Sequence, residues 1–362
     1  MKGVSSNSFY GKAKGPINIA LIKYWGKDSE SLIIPLNNSI SLTLDTNHLY
    51  TETSVEIIPL SPSEKDTIIL TINYVQSEIT PRLTSVINKF KEIAKDKLNS
   101  LPYKYIINSI NTFPIASGCA SSASSMVALV SCLDKALDTK LSKEELSVIA
   151  RLGSGSACRS IFGGIVEWTK EGGENSHAIQ LFNENYWKLN VMLIIVNNEK
   201  KEISSSKGMK MTKDTSQFLK YRIETVVPQH IQQIKQGFNE KNFEKVGEII
   251  MKDSNNFHAV CRDTFPPICY LNPQSEYIIK CVNSINAQNK KIICAYTFDA
   301  GSNGFIVFEK INKDKIISFF KEAIHSTTSN NEIINNLIKI RPDSSLFKQE
   351  VIFELGSGPI IM

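Results

Sequence analysis

Of the 362 residues, 42% are hydrophobic and 21% charged, which is enough apolar material for a large core and too much for a disordered chain. At roughly 150 residues per domain, the length points to about two domains or lobes. Lys and Arg number 41 against 36 Asp and Glu, and the net charge of +5 suits small anions better than a nucleic-acid surface.

The longest dense apolar run, Val191 to Val196, is far shorter than the ~20 residues a membrane helix needs, so no membrane partner is expected. The stretch Met1 to Gly15 has no apolar secretory core. Seven cysteines, at 119, 132, 158, 261, 269, 281 and 294, show neither a C-x-x-C pair nor metal-ligand spacing. They read as buried free thiols of a cytoplasmic protein.

In chain order, Ile40 to Asp45, Thr53 to Ile58 and Thr67 to Val75 are strand-like, and alternation over Ile19 to Trp25 predicts a further strand. That alternation puts Leu21, Lys23 and Trp25 on one face, with Ile22 and Tyr24 opposite. Helices are predicted over Pro81 to Ala94, Ser121 to Leu137 and, after a capping box at Ser142, up to a Gly153 stop followed by a loop. Phe162 to Trp168 and Leu189 to Val196 read as strands, Ser216 to Gly237 and Asn242 to His258 as helices with a break at Pro228, and Ile292 to Phe298 and Phe305 to Phe308 as strands. The pattern is mixed α and β. A lobe boundary near Asn197 divides the chain into 1–197 and 198–362.

Four segments could carry chemistry. Asn111 to Ala123 (NTFPIASGCASSA) leads a strand through small residues and serines into a helix. That suits either a phosphate cradle or an ordinary capped turn, and no G-x-x-x-x-G-K-[ST] loop occurs. Gly153 to Gly164 (GSGSACRSIFGG) follows a helix, which excludes a dinucleotide fingerprint, and displays Arg159 either as an anion-gripping fork or as a surface cation. In NIALIKYWGK (Asn18 to Lys27), an inward Lys23 needs an anionic partner unless it snorkels from an edge strand. In AYTFDAGSNGFIVF (Ala295 to Phe308), Asp299 ends an apolar strand before a tight turn, as a dry, positioned base or as a turn former. The Lys-rich Glu199 to Asp214 is either a solvated loop or a lid, and His258 reads as a packed residue and not a metal ligand.

These segments, with IPLNNSISLTL, ISSSKGMKMT, DSNNFHAVCRDTFPPI and the closing ELGSGP, resemble the diphosphomevalonate decarboxylases of the GHMP kinase superfamily, the eukaryotic branch in particular. The resemblance implies a two-lobed α+β fold with a deep cleft, the N-terminal lobe like domain 2 of ribosomal protein S5 and the C-terminal lobe an α/β sandwich. It implies homodimers, and ATP with Mg2+ as co-substrate and cofactor. The implied reaction phosphorylates the 3-hydroxyl of 5-diphosphomevalonate and then releases phosphate and CO2 to give isopentenyl diphosphate, for isoprenoid and sterol synthesis. The implied catalytic residues are Asp299, Arg159, which contacts both that aspartate and substrate, and Lys23 near the transferred phosphate. A carboxylate is a weak base for an alcohol, so alignment and charge stabilisation must supply most of the rate.

Tyr24, Trp25, Gly26, Lys27, Ser154, Gly155, Ser156, Ala157, Cys158, Arg159 and Ser206 match substrate-binding positions of the family. Gly118, Cys119, Ala120, Ser121 and Ser122 match its ATP phosphate loop, and metal ligands are not assigned. Ser302 stands where the family usually has proline, which is expected to loosen the turn after Asp299. Cys119 stands where leucine is common, and Ile69 to Tyr74 holds no counterpart of an arginine that helps bind the diphosphate in related enzymes. Alternatives on the same scaffold are a phosphomevalonate decarboxylase, a mevalonate 3-kinase, or a non-catalytic binding protein.

Overall fold

The computed structural model describes residues 8–113, 121–196 and 202–362, so the expected boundary at Asn197 and the loop residues Gly118, Cys119 and Ala120 lie outside the described residues. Three large sheets and a two-stranded one, Lys27–Ser29 with Ile34–Pro35, carry the α+β architecture of the described residues. The first has six strands in the order Ile360–Ile361, Phe9–Pro16, Tyr50–Pro59, Tyr103–Asn111, Thr67–Ile72 and Val75–Gln76. The second orders Ala178–Phe182, Ile165–Trp168, Ser39–Thr43 and Asn18–Ile22, and the third Cys294–Phe298, Gly304–Glu309, Leu189–Ile195 and Gln349–Glu354.

Half-buried strands in the first sheet alternate, as Tyr50–Pro59 and Tyr103–Asn111 do, because one face packs on helices Pro81–Ile93 and Ser121–Leu137. Strands buried on both faces do not alternate: Asn18–Ile22, Ser39–Thr43 and Leu189–Ile195 are buried at every position. One apolar core joins the second and third sheets, from Ile19, Leu21 and Ile40 to Val191, Phe298 and Phe305. The strand ends that lead into Lys23 and Asp299 are thus fixed in the same core.

Several expectations need correction. The strand at Asn18 stops at Ile22 with a register shift between Ala20 and Ile22, so period-2 alternation does not extend to Trp25. Helix Lys143–Gly153 starts at the predicted capping box but ends on an extended Ser154, not a left-handed glycine, and a short helix, Ala157–Ser160, follows in place of a plain loop. Pro228 does not break its segment. Gln217–Tyr221 runs through a five-residue π turn, Arg222–Val226, into Val227–Glu240, and the proline falls directly after the π turn within this continuous helical run. Among the described cysteines Cys269 is exposed and the other five are buried.

Gly15 lets strand Phe9–Pro16 lie directly on helix Ser121–Leu137, since a Cβ there would meet the Ser124 carbonyl oxygen and come 2.8 Å from the Ala128 nitrogen. Both are backbone atoms and cannot swing away. Gly15→Ala is therefore expected to lower unfolding stability by about 1–3 kcal/mol, read from the urea midpoint; an unchanged midpoint would show that the helix can shift at no cost.

Candidate active site

A cavity of about 360 Å³ opens between the strand end after Ile22, the segment Ser154–Arg159, the helix Ser205–Thr215 and the hairpin turn at Asp299. Lys23 is 2% exposed. Its ammonium donates to Asp299 Oδ1 at 2.6 Å and to the Ala20 carbonyl at 2.7 Å. Burial pushes the Lys23 pKa down, and the Asp299 carboxylate opposes that shift. The Asp299 side chain is 31% exposed, so it faces the cavity and not a dry interior.

The turn carrying Asp299 is hydrogen-bonded to its surroundings. Ser275 donates to the Ser302 carbonyl at 2.7 Å, Val196 N–H donates to Asn303 Oδ1 at 2.9 Å, and Gly301 N–H donates to the Asp299 carbonyl at 2.7 Å.

Arg159 is 2% exposed, which removes the surface-cation reading. Its Nη2 donates to Asn18 Oδ1 at 3.2 Å and its guanidinium lies 5.9 Å from the Trp168 ring centroid. Nε and Nη1 are buried without a hydrogen-bond partner among the described residues, and no hydrogen bond to Asp299 is among its contacts. Burial is the main influence lowering its pKa. Two unanswered cationic donors on a cavity wall are an anion site in waiting, because such donors are costly to leave unpaired.

Tyr24 and Trp25 diverge. Tyr24 packs on Trp168 at 4.6 Å between centroids, with a buried hydroxyl that lacks a partner among the described residues, while Trp25 packs on Phe257 at 4.8 Å and donates Nε1–H to Thr212 at 3.0 Å. Burial raises the Tyr24 pKa, so the phenol stays a neutral donor. Gly26, at φ 93°, makes the turn that separates Trp25 from Lys27 and is not part of the cavity wall. Lys27 reaches the wall with its ammonium on Glu30 at 2.6 Å.

Ser154, Gly155 and Ser156 line the cavity, but Ala157 and Cys158 do not: both side chains sit in the core, and Cys158 Sγ donates to the Gly155 carbonyl at 3.0 Å. Burial pushes that thiol up to about 12, so it offers no thiolate. Ser122 lines the wall 3.3 Å from the Ser154 hydroxyl, one residue after Ser121 opens its helix. Within the Lys-rich segment a helix runs from Ser205 to Thr215, capped by Ser204, and its Lys213 donates to the Lys27 carbonyl at 3.0 Å. It brings Ser206 to the cavity, with Ser204 and Ser205.

Sequence reasoning missed Arg82, the second residue of helix Pro81–Ile93, which lines the cavity 3.4 Å from Ser206 Oγ. A cation in the first turn of a helix is electrostatically misplaced unless an anion joins it, and that was the available signal. Asn18 and Phe257 were missed as well.

The family follows from the whole chain. A model described as "Diphosphomevalonate decarboxylase-like N-terminal domain" matches residues 15–179, and "Mevalonate 5-diphosphate decarboxylase C-terminal domain" matches 191–354. The chain belongs to the diphosphomevalonate decarboxylase family. It is 37% identical to the diphosphomevalonate decarboxylase of Debaryomyces hansenii, over 96% of this chain and 93% of that one. A crystal structure of mevalonate 5-diphosphate decarboxylase superposes with TM-score 0.84 at 36% identity, covering 98% of this chain and 97% of the other. A structure described as "MDDEF in complex with MVAPP, AMPPCP and Magnesium" superposes with TM-score 0.79 at 32% identity, covering 98% and 99%. The fold is therefore the two-lobed GHMP kinase fold.

His258 is nearly sealed between Phe257 and Phe298, and burial first, then the charge of Lys23, lowers its pKa from 6.5 to about 3. The unfolded chain binds a proton near 6.5 that the folded chain refuses until about 3, so the stability this gives is full above the first value and lost as pH falls toward the second. His258→Gln is expected to flatten the urea-derived stability profile by about 1.4 kcal/mol per pH unit between about pH 5.5 and 4.5. Parallel profiles would show that the ring takes up a proton in the folded state.

Proposed function

We propose that the chain decarboxylates 5-diphosphomevalonate at the expense of ATP, giving isopentenyl diphosphate, ADP, phosphate and CO2. The observation that carries the reading is the Lys23 to Asp299 contact at 2.6 Å on a wall shared with the unpaired donors of Arg159. Asp299 accepts or orients the proton of the 3-hydroxyl as its oxygen attacks the γ-phosphorus and the bond to ADP breaks. Lys23 faces the charge that gathers on the transferred phosphoryl group. Loss of that group as phosphate then draws the electron pair of the bond to the carboxylate into the new double bond, and CO2 departs. Arg159 holds a substrate anion with its Nε and Nη1, which have no partner among the described residues.

The substrate diphosphate is assigned to Tyr24, Lys27, Ser154 to Ser156, Arg82 and Ser206, and the ATP phosphates to the helix start at Ser121 and Ser122. Mg2+ brought with the nucleotide would neutralise phosphate charge. Such an ion would be held mostly by phosphate and water, with the Asp299 carboxylate and the Ser122 hydroxyl among the oxygens the wall offers. A homodimer, a cytoplasmic site of action and the division into lobes 1–197 and 198–362 belong to the same reading. No helix among the described residues is long and apolar enough to cross a membrane.

The test quantifies ADP and CO2 together, with Mg-ATP and mevalonate, 5-phosphomevalonate or 5-diphosphomevalonate. Equal ADP and CO2 from the diphosphate alone is expected, and Asp299→Asn should remove both products. ADP without CO2 would make the protein a 3-kinase, and equal products from the monophosphate would reassign the substrate. Arg82→Gln is expected to raise KM for the diphosphate about tenfold or more with kcat nearly kept, as for a contact made equally in ground and transition states; an unchanged KM would remove Arg82 from the site.

A further inference from the structure

The helix Phe243–Asp263 presents two adjacent stripes at i, i+4 spacing, Asp253 with Phe257 and Ser254 with His258, all buried. The first stripe faces the segment after strand Asn18–Ile22. Asp253 Oδ2 accepts the Lys23 N–H at 2.7 Å, and Phe257 packs on Trp25. The second faces the end of strand Cys294–Phe298. Ser254 Oγ accepts the Phe298 N–H at 3.1 Å, and His258 packs on the Phe298 ring.

Arg222 completes the first stripe. It is fully buried, its Nη1 and Nη2 each donate to one oxygen of Asp253 at 3.0 Å, and Nη2 also donates to the Lys23 carbonyl at 3.1 Å. Asn256 accepts from Nη1 at 2.6 Å, and His230 Nδ1 lies 3.0 Å from Asp253 Oδ1. Both backbone polar groups of Lys23 are thus held by one buried ion pair. The π turn is what allows it: the step from Arg222 to Val227 is five residues, so both stay on the buried face, where a regular helix would turn one of them away.

We propose that Asp253, with Arg222, and Ser254 are positioning residues that set the Lys23 to Asp299 geometry, one tethering the backbone of Lys23 and the other that of Phe298, next to Asp299. Neither touches substrate. Consecutive residues of one rigid helix fix the two members of the pair relative to each other, although these lie 276 positions apart in sequence. The inference rests on the reading of Lys23 and Asp299 as the reacting pair.

The test is steady-state kinetics of Ser254→Ala and Asp253→Asn beside Asp299→Asn, each followed through its thermal midpoint. The two positioning variants are expected to lower kcat by about 10- to 100-fold, with KM for both substrates within about twofold of wild type, because misplacement by a fraction of an ångström acts on the transition state and not on binding. Ser254→Ala decides alone if Asp253→Asn does not fold. An unchanged kcat in Ser254→Ala, or a loss confined to KM, with Asp299→Asn inactive, overturns the positioning role only. A wild-type kcat in Asp299→Asn overturns the reading beneath it, and the inference falls with that reading.

Discussion

A lysine sealed from water must find oxygen acceptors close by, and the Lys23 ammonium donates to the Ala20 carbonyl and the Asp299 carboxylate. An uncompensated charge at such a depth costs several kcal/mol, which ties the strand end after Ile22 to the hairpin turn at Asp299. Much of the surrounding architecture serves that junction. The second and third sheets share one apolar core, the π turn aims Arg222, and Ser275 and Asn303 hold the turn that carries the carboxylate.

Around this pair the cavity is built for anions it does not itself supply. Two guanidinium nitrogens of Arg159 and the hydroxyl of Tyr24 are buried without partners among the described residues, each unmet donor costing about 1–3 kcal/mol. Buried polar atoms elsewhere, such as Arg151 Nε and the Tyr105 hydroxyl, also lack partners among the described residues, but Arg159 and Tyr24 line the cavity, where an anion can meet them. The donors are preorganised by packing against Trp168, so little reorientation is left to be done when charge develops.

Sequence reading reached Lys23, Arg159 and Asp299 because each is a charged residue stranded among apolar or small neighbours. Amphipathic helices with clear caps, such as Pro81–Ile93 and Lys143–Gly153, were equally legible. Strands buried on both faces were less so: with no alternation to read, the end of Asn18–Ile22 and its register shift were invisible, although Trp25 still falls with Lys23 against helix Phe243–Asp263 and Tyr24 packs elsewhere, on Trp168. Asp253 left a signal that went unread, an acid on the apolar stripe of Ile249, Ile250 and Phe257. Arg222 left none, because the π turn breaks the 3.6-residue period that would have placed it on the buried face. Arg82 and Ser206 meet only through tertiary structure, 124 positions apart.

The central claim is that Lys23 and Asp299 function as one coupled pair. It is tested most directly by a double-mutant cycle of Lys23→Met and Asp299→Asn on unfolding free energy, measured in urea at neutral pH. The account predicts that the double variant is more stable than the sum of the single losses by about 1–3 kcal/mol, since the second change relieves a charge the first leaves unanswered. Losses that add to within about 0.5 kcal/mol would contradict it.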